Sequence, residues 1–347
     1  MSAAGLDVVS PATSGPVPWR SLAWVTWRRH RSTVVAMLAV LGLTAIYLLI
    51  TGLQMRSAWH TVQGCNPHQS RACSFAWTNF HDTHANPGIL SALFLFAPLL
   101  LGAFVGAPLI GRELETGTFR YAWTQGVGRS RWAVAMVFTG VAVVTVLAGA
   151  FGALVAWHDQ PLWQAQISPR LQASEFPSTG VAIIGWSLAT YAVAVLAGLL
   201  WRRVLPALAT AVLATFGLAF AVSKLRLHYL PPLKTSSLAY VPGSQTMSQW
   251  WEKGGIRAST AELNAVLQAG HVQQIQNNGG GKVTATAGPG QGTDPFTYLL
   301  HHGYTQWTSY QPAGRYWTFQ WIEFGWLTAV ALLLIAITLL LLRHRDA

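Results

Sequence analysis

"GILSALFLFAPLLLGAFVGAPLI", residues 88–110, runs for 23 positions without Asp, Glu, Lys or Arg. A hydrocarbon core about 30 Å thick takes roughly 20 apolar residues in a helix, so the stretch reads as a membrane-spanning helix. Five further runs match it, at about 33–53, 133–156, 180–200, 204–222 and 324–342, and none of them carries a formal charge. A buried helix in a soluble protein rarely reaches this length uncharged. The fold class that follows is an all-α membrane protein with six transmembrane helices. Composition agrees. Only 10% of residues are charged and 52% are hydrophobic, where a soluble domain carries about 25% charged. Seventeen Trp suit a lipid–water interface. The first run is too long for the apolar core of a signal peptide and follows a leading segment of some length, so it reads as a retained span.

Orientation follows from the placement of Lys and Arg. With the N-terminus inside, segments 1–32, 111–132, 201–203 and 343–347 are cytoplasmic and hold 12 of the 22 basic residues. "RRHR" at 28–31, "WRR" at 201–203 and "RHR" at 343–345 each abut a span end. Both termini are therefore expected in the cytoplasm of a multi-pass protein of the cell membrane. The net charge of +11 does not argue for nucleic acid, because the basic residues are not gathered on one soluble domain. Four segments result. Residues 1–32 are cytoplasmic, with an interfacial helix suggested by the Trp and Arg of "VPWRSLAWVTWRRHR" at 17–31. Residues 33–222 hold the first five spans, and 223–323 form an extracellular domain. Residues 324–347 hold the last span and a short tail. The extracellular segment contains the flexible-looking "NNGGGKVTATAGPGQG" and a short helix beginning after Ser259 or Thr260.

Few residues point to chemistry. "GGGKVT" at 279–284 is not a phosphate loop. The first Gly of the motif is replaced by Gln276, and Val283 stands where a Mg²⁺-binding hydroxyl is needed. No cofactor is expected in this chain. Cys65 and Cys73 share the first outside loop with His60, His68, His81 and His84. An oxidising exterior permits a Cys65–Cys73 disulfide, with two free thiols or a metal site as the alternatives. An enzyme working inside the membrane would show ionisable residues in its spans, and these have none. Phe94, Phe96, Phe104, Phe216 and Phe220 could line an apolar path, although lipid contact or helix packing is the simpler account of each.

The stretch "GRELETGTFRYAWTQGVGRSRW", residues 111–132, interrupts the apolar sequence with six charged side chains. "RELE" extends the second span past the bilayer, and Gly117 ends that helix as a C′ glycine does. "TFRYAWTQ" starts a short new helix with Thr118 as N-cap, and "GVG" at 126–128 breaks it. "WRR" at 201–203 turns between spans in three residues, so a connector needs none of this. The aromatic, polar element reads as a docking knob for a cytoplasmic partner. Here the sequence resembles the permease subunits of type-2 ABC exporters of the actinobacterial kind, through "RELETGT", "AWTQ" and "RSRW" in this loop. A second match is "YQPAGRYWTFQWIEFG" at 310–325, just before the last span.

The resemblance implies a coupling helix at 118–125 that docks on a separate ABC ATPase, with Glu113, Glu115, Gly117, Thr118, Arg120, Trp123 and Gln125 in the coupling region. It implies a second permease copy, a homodimer in the simplest case, and ATP and Mg²⁺ held by the partner ATPase. It further implies a substrate path lined by the second and fifth spans. The uncharged interior of the spans itself favours an amphipathic or lipophilic substrate over a small ion. Glu323, at the mouth of the last span, is expected to be held by hydrogen bonds or by a basic group such as Arg315, shaping an extracellular gate. The rival reading is a membrane-anchored sensor or assembly protein that uses 223–323 as its binding module.

Overall fold

The computed structural model describes residues 19–64, 70–84, 88–117, 129–236, 241–270, 275–278, 282–285 and 295–344. Only the backbone is described for 19–23, 25–30, 32–34, 88–93, 95, 129–130, 275–278 and 282–285. Helices α1 (Trp19–Val62), α2 (Arg71–His84), α3 (Gly88–Thr116), α4 (Arg129–Gln164), α5 (Ala182–Trp201) and α6 (Val204–Leu225) lead into an insert. The insert comprises β1 (Leu233–Thr235), β2 (Gln245–Lys253), β3 (Ile256–Arg257), α7 (Thr260–Ala269), β4 (Ile275–Asn278), β5 (Lys282–Ala285), α8 (Pro295–His301) and β6 (Tyr304–Gln311). The chain then returns through α9 (Tyr316–His344). Among the described residues six helices are long and apolar enough to cross a membrane, namely α1, α3, α4, α5, α6 and α9, and each expected run falls on one of them.

Small residues set how closely these helices approach. A Cβ on Gly106 would lie 2.7 Å from the Tyr191 carbonyl and 2.8 Å from Ala194 Cβ, and one on Gly102 would strike the backbone at Ser187. The α3 and α5 backbones thus touch along a glycine face, as membrane helices do when no side chain intervenes. Further along the same seam a Cβ on Gly198 would lie 3.2 Å from Gly111 N. On its other sides α5 meets α9, where a Cβ on Gly185 would sit 3.1 Å from Phe324 Cα. It meets α4 through Tyr191, whose hydroxyl donates to the Val137 carbonyl at 2.8 Å. Helix α5 is therefore the centre of the bundle, and α1 and α6 lie at its edge. The "WRR" turn takes three residues as expected. Arg202 adopts the left-handed conformation (φ 54°) and closes α5 by donating its amide to the Gly198 carbonyl.

Two expectations need correction. The protein is not all-α: the insert carries a four-stranded antiparallel sheet of order β1-β6-β2-β3 and a separate β4-β5 hairpin. Alternation is the reason. Trp251 and Tyr304 face α7 and α8, where they bury against Leu263, Leu267 and Leu299, while the cross-strand pair Trp250↔Trp307 takes the other face. Gly254 and Gly255 (φ 59° and 81°) make the tight β2–β3 turn, which needs positive φ at both positions. The interfacial helix expected at 17–31 is not a separate element, because α1 continues unbroken from Trp19; no Gly or Pro intervenes before Gly42. The first connecting loop carries a helix of its own, α2, which buries Phe80 against Trp59 and Trp77. The helix expected after Ser259 is present, and Ser259 Oγ accepts from the Glu262 amide at 3.1 Å.

The α3–α5 seam leaves no room for a side chain. Gly106→Leu is expected to abolish the monodisperse folded protein in detergent, read by size-exclusion chromatography. Gly217→Ala, where a Cβ meets nothing within 4 Å, should behave as wild type. A monodisperse Gly106→Leu protein with an unchanged melting point would refute the close packing.

Candidate functional site

Glu323 lies in α9 with 0% of its surface exposed. A buried carboxylate costs several kcal/mol unless it is paired and hydrogen-bonded. Arg226, the residue after α6, meets it in parallel: Nε donates to Oε2 at 2.8 Å and Nη2 to Oε1 at 2.8 Å. Trp186 Nε1 of α5 adds a third donor to Oε1 at 2.6 Å. The Phe176 ring covers the guanidinium, its centroid 4.4 Å from Cζ. Bidentate geometry of this kind is the strong form of a charge-assisted pair.

The pair is one end of a polar stripe on α9. Gln320, one turn earlier, accepts from the Ala182 amide at 2.7 Å and donates to the Phe176 carbonyl at 3.2 Å. It thereby satisfies the first amide of α5, a helix with no side-chain cap of its own. Tyr316, another turn back, donates to Thr179 Oγ1 at 3.0 Å. Gly180 makes room for both: its φ is 62°, and a Cβ there would lie 2.7 Å from Gln320 Oε1. Arg315 does not hold Glu323. Its Nη1 donates to the Pro231 carbonyl at 2.7 Å and to Gln311 Oε1 at 2.8 Å. Eight residues of helix place it about 12 Å from Glu323 along the axis, out of reach.

The five candidate phenylalanines do not line one path. Helix α3 divides them between two pockets. Phe96, Phe216 and Phe220 line a pocket of about 430 Å³ between α3, α5 and α6, together with Trp186 and Arg226. Phe94 and Phe104 line another of about 710 Å³ between α1, α3 and α4. Beside the first pocket the α4–α5 connection holds a half-buried Glu175, whose Oε2 accepts from Trp163 Nε1 and Ser168 Oγ at 3.2 Å each. Burial, with the nearby Asp159 adding to it, pushes this carboxyl from its ordinary 4.5 up to about 7.

A family model described as "ABC-2 membrane transporter related" matches residues 37–226, more than half of the chain. The chain belongs to the ABC-2 membrane transporter related family. No curated protein and no solved structure matches it. It is accordingly a multi-pass membrane protein and a transporter's membrane subunit, a kind of chain that normally works with an ABC ATPase and is generally not itself catalytic. The match covers the first five membrane helices and ends at Arg226. The salt bridge therefore fastens the last helix onto the ABC-2 segment.

At the opposite end of the bundle, Gly117 follows the last residue of α3 with φ 70°, the left-handed C′ glycine expected there. Glu115 is exposed, and its Oε2 accepts from the Val204 amide at 3.1 Å. Glu113 is 3% exposed and engaged within the chain, so its carboxylate is not displayed on the surface. Thr118, Arg120, Trp123 and Gln125 lie outside the described residues, as does Cys65. Cys73 is disulfide-bonded. Sequence reasoning missed Arg226, Trp186 and Gln320. The available signals were the opposite charges closing one apolar run and opening another, and the i, i+4, i+7 spacing of Tyr316, Gln320 and Glu323.

Breaking one partner of such a pair strands the other. Glu323→Gln and Arg226→Met should each cost about 3–5 kcal/mol, read as a lowered thermal midpoint in detergent. The double variant Arg226→Met/Glu323→Gln should lose clearly less than the sum of the two; strict additivity would show that the two groups are not coupled. Glu175 supplies a pH test. Its folded-state value is raised, so the fold favours the protonated form. The stability this contributes is complete below about pH 4.5 and is lost as pH rises towards 7. That loss amounts to at most about 3 kcal/mol. Glu175→Gln should flatten the dependence of melting temperature on pH across that window, and an unaltered profile would assign it to another group.

Proposed function

We propose that this chain is the permease subunit of an ATP-driven ABC exporter of the cell membrane. Both termini are cytoplasmic, and the 223–323 insert lies outside the cell. It pairs with a second permease copy and moves an amphipathic or lipophilic substrate outward. A separate ATPase, which holds ATP and Mg²⁺, docks on loop 111–132. The observation that carries this reading is the root of that loop. Helix α3 continues to Thr116 and breaks at Gly117, and Glu115 reaches across to the first amide of α6. A carboxylate at a helix N-terminus is favoured by the helix dipole, so the contact is stable. Motion of the loop is thus delivered to α3 and α6 together, and these two helices bound the pocket that holds Phe96, Phe216 and Phe220. Trp123 is the anchor proposed to face the ATPase. Buried aromatic anchors at such interfaces are commonly worth about 2 kcal/mol or more on truncation.

Trp123→Ala should leave expression and membrane insertion near normal while weakening co-purification of the ATPase or uncoupling ATP hydrolysis from export. Gly117→Val should do the same by another route. A Cβ at Gly117 meets nothing within 4 Å, so any effect comes from the positive φ that a β-branched residue resists. Both variants are measured with the partner ATPase in proteoliposomes, transport and hydrolysis side by side. Wild-type behaviour of both would reduce the loop to a connector.

A further inference from the structure

The pocket between α3, α5 and α6 differs from its neighbour in having two chemically distinct ends. Phe96, Leu99, Phe216 and Phe220 make an apolar wall, and Phe220 is 71% exposed where the pocket meets the hydrocarbon-facing surface. The other end holds Arg226, the one charged residue in the lining among the described residues. A guanidinium has five N–H donors. Nε and Nη2 are engaged by Glu323, and Nη1 takes no part in that pair. Glu323 is not presented to the pocket: it is 0% exposed, absent from the lining, and already accepts from Arg226 and Trp186. Two of the lining hydroxyls are turned inward: Ser223 donates to the Phe220 carbonyl at 2.7 Å, and Thr215 bonds Thr190 at 3.0 Å, while Ser174 at the rim is exposed.

This arrangement presents donors without net charge. One guanidinium and one carboxylate cancel. An anionic head group would leave water to meet a site already neutralised and a second negative charge close by. A cationic one would face Arg226 with the carboxylate already occupied. Each would lose hydration with no unpaired counter-charge to replace it. An ester, amide or ketone oxygen loses little on entry and gains a charge-assisted hydrogen bond. We propose that the Phe96–Phe216–Phe220 pocket is a substrate site that selects uncharged amphiphiles whose polar end is a hydrogen-bond acceptor. Arg226 reads the head, and the three rings hold the hydrocarbon. The volume of about 430 Å³ falls in the usual range for small-molecule sites. This inference rests on the exporter reading for its role, and on the pocket's own chemistry for its selectivity.

Three probes with one chain length and different heads test it: 1-oleoylglycerol, oleic acid and oleylamine. Each is added to the full chain purified with its ATPase in detergent, and retention is measured by native mass spectrometry at pH 7.5. 1-Oleoylglycerol should be retained at least tenfold better than either charged analogue. Ala219→Phe, which narrows the pocket, should abolish that preference while ATPase co-purification persists. Gly217→Ala should bind as wild type. Equal retention of all three probes, insensitive to Ala219→Phe, would mean annular lipid only and overturns the proposal, as does preferred retention of oleate. Absent binding with an intact ATPase complex sinks the substrate class and leaves the exporter reading standing. Selective binding by a chain that recruits no ATPase sinks the exporter reading and leaves the site.

Discussion

A carboxylate with no exposed surface, at the root of the last membrane helix, constrains everything around it. Glu323 is tolerable only because Arg226 and Trp186 meet it from two other helices. That requirement fixes the rotation of α9, the depth at which α6 ends and the face that α5 turns towards both. Tyr316 and Gln320 share the stripe and bind the α4–α5 connection, so the same rotation also sets that connection. One buried charge thereby coordinates three helices and a loop. Leaving any of them misplaced would strand polar groups in a low-dielectric interior.

The insert is anchored by the same groups. It leaves the bundle just after Arg226 and returns just before Tyr316, so the salt bridge closes its base. Gln311, the last residue of β6, donates to the Leu227 and Leu230 carbonyls at 2.8 Å each, and Arg315 ties Pro231. Strands β1 and β6 then pair directly above this knot. A sheet built on a rigid base can move only with the helices beneath it. A change in the relation of α6 to α9 would therefore be felt by the whole insert.

Packing is uneven across the bundle. The glycine seam makes α3 and α5 a single stiff unit. Helices α1 and α6 lie outside it, and the two pockets open where they meet it. Loosely packed elements are those that move at low cost. Glu115 joins the stiff unit to the first amide of α6 at the end opposite the insert, and the Arg226–Glu323 pair joins α6 to α9 at the insert end. Helix α6 is thus held at both ends and bordered by a cavity between them. Such a helix can tilt without unfolding.

The six spans were legible in the sequence because burial in lipid demands an uninterrupted apolar run of fixed length, a constraint written residue by residue. The break at Gly117, the turn at 201–203 and the Ser259 cap were legible for the same reason: each depends on one local residue type. The sheet was not, because its strands are short and pair across large sequence separations, Thr246 with Tyr310 for example. Charge pairing was least legible. Sequence proximity suggested Arg315 for Glu323, and helix geometry put Arg315 out of reach and brought in Arg226 from 97 positions away. Nor could the sequence divide the phenylalanines, since which side of α3 each one faces depends on how α1, α4 and α6 pack around it. The sequence alone determined what must lie in the membrane and where the chain must bend. Only the tertiary structure decided which buried charge meets which, because that depends on helix rotation, and rotation is set jointly by every neighbour a helix has.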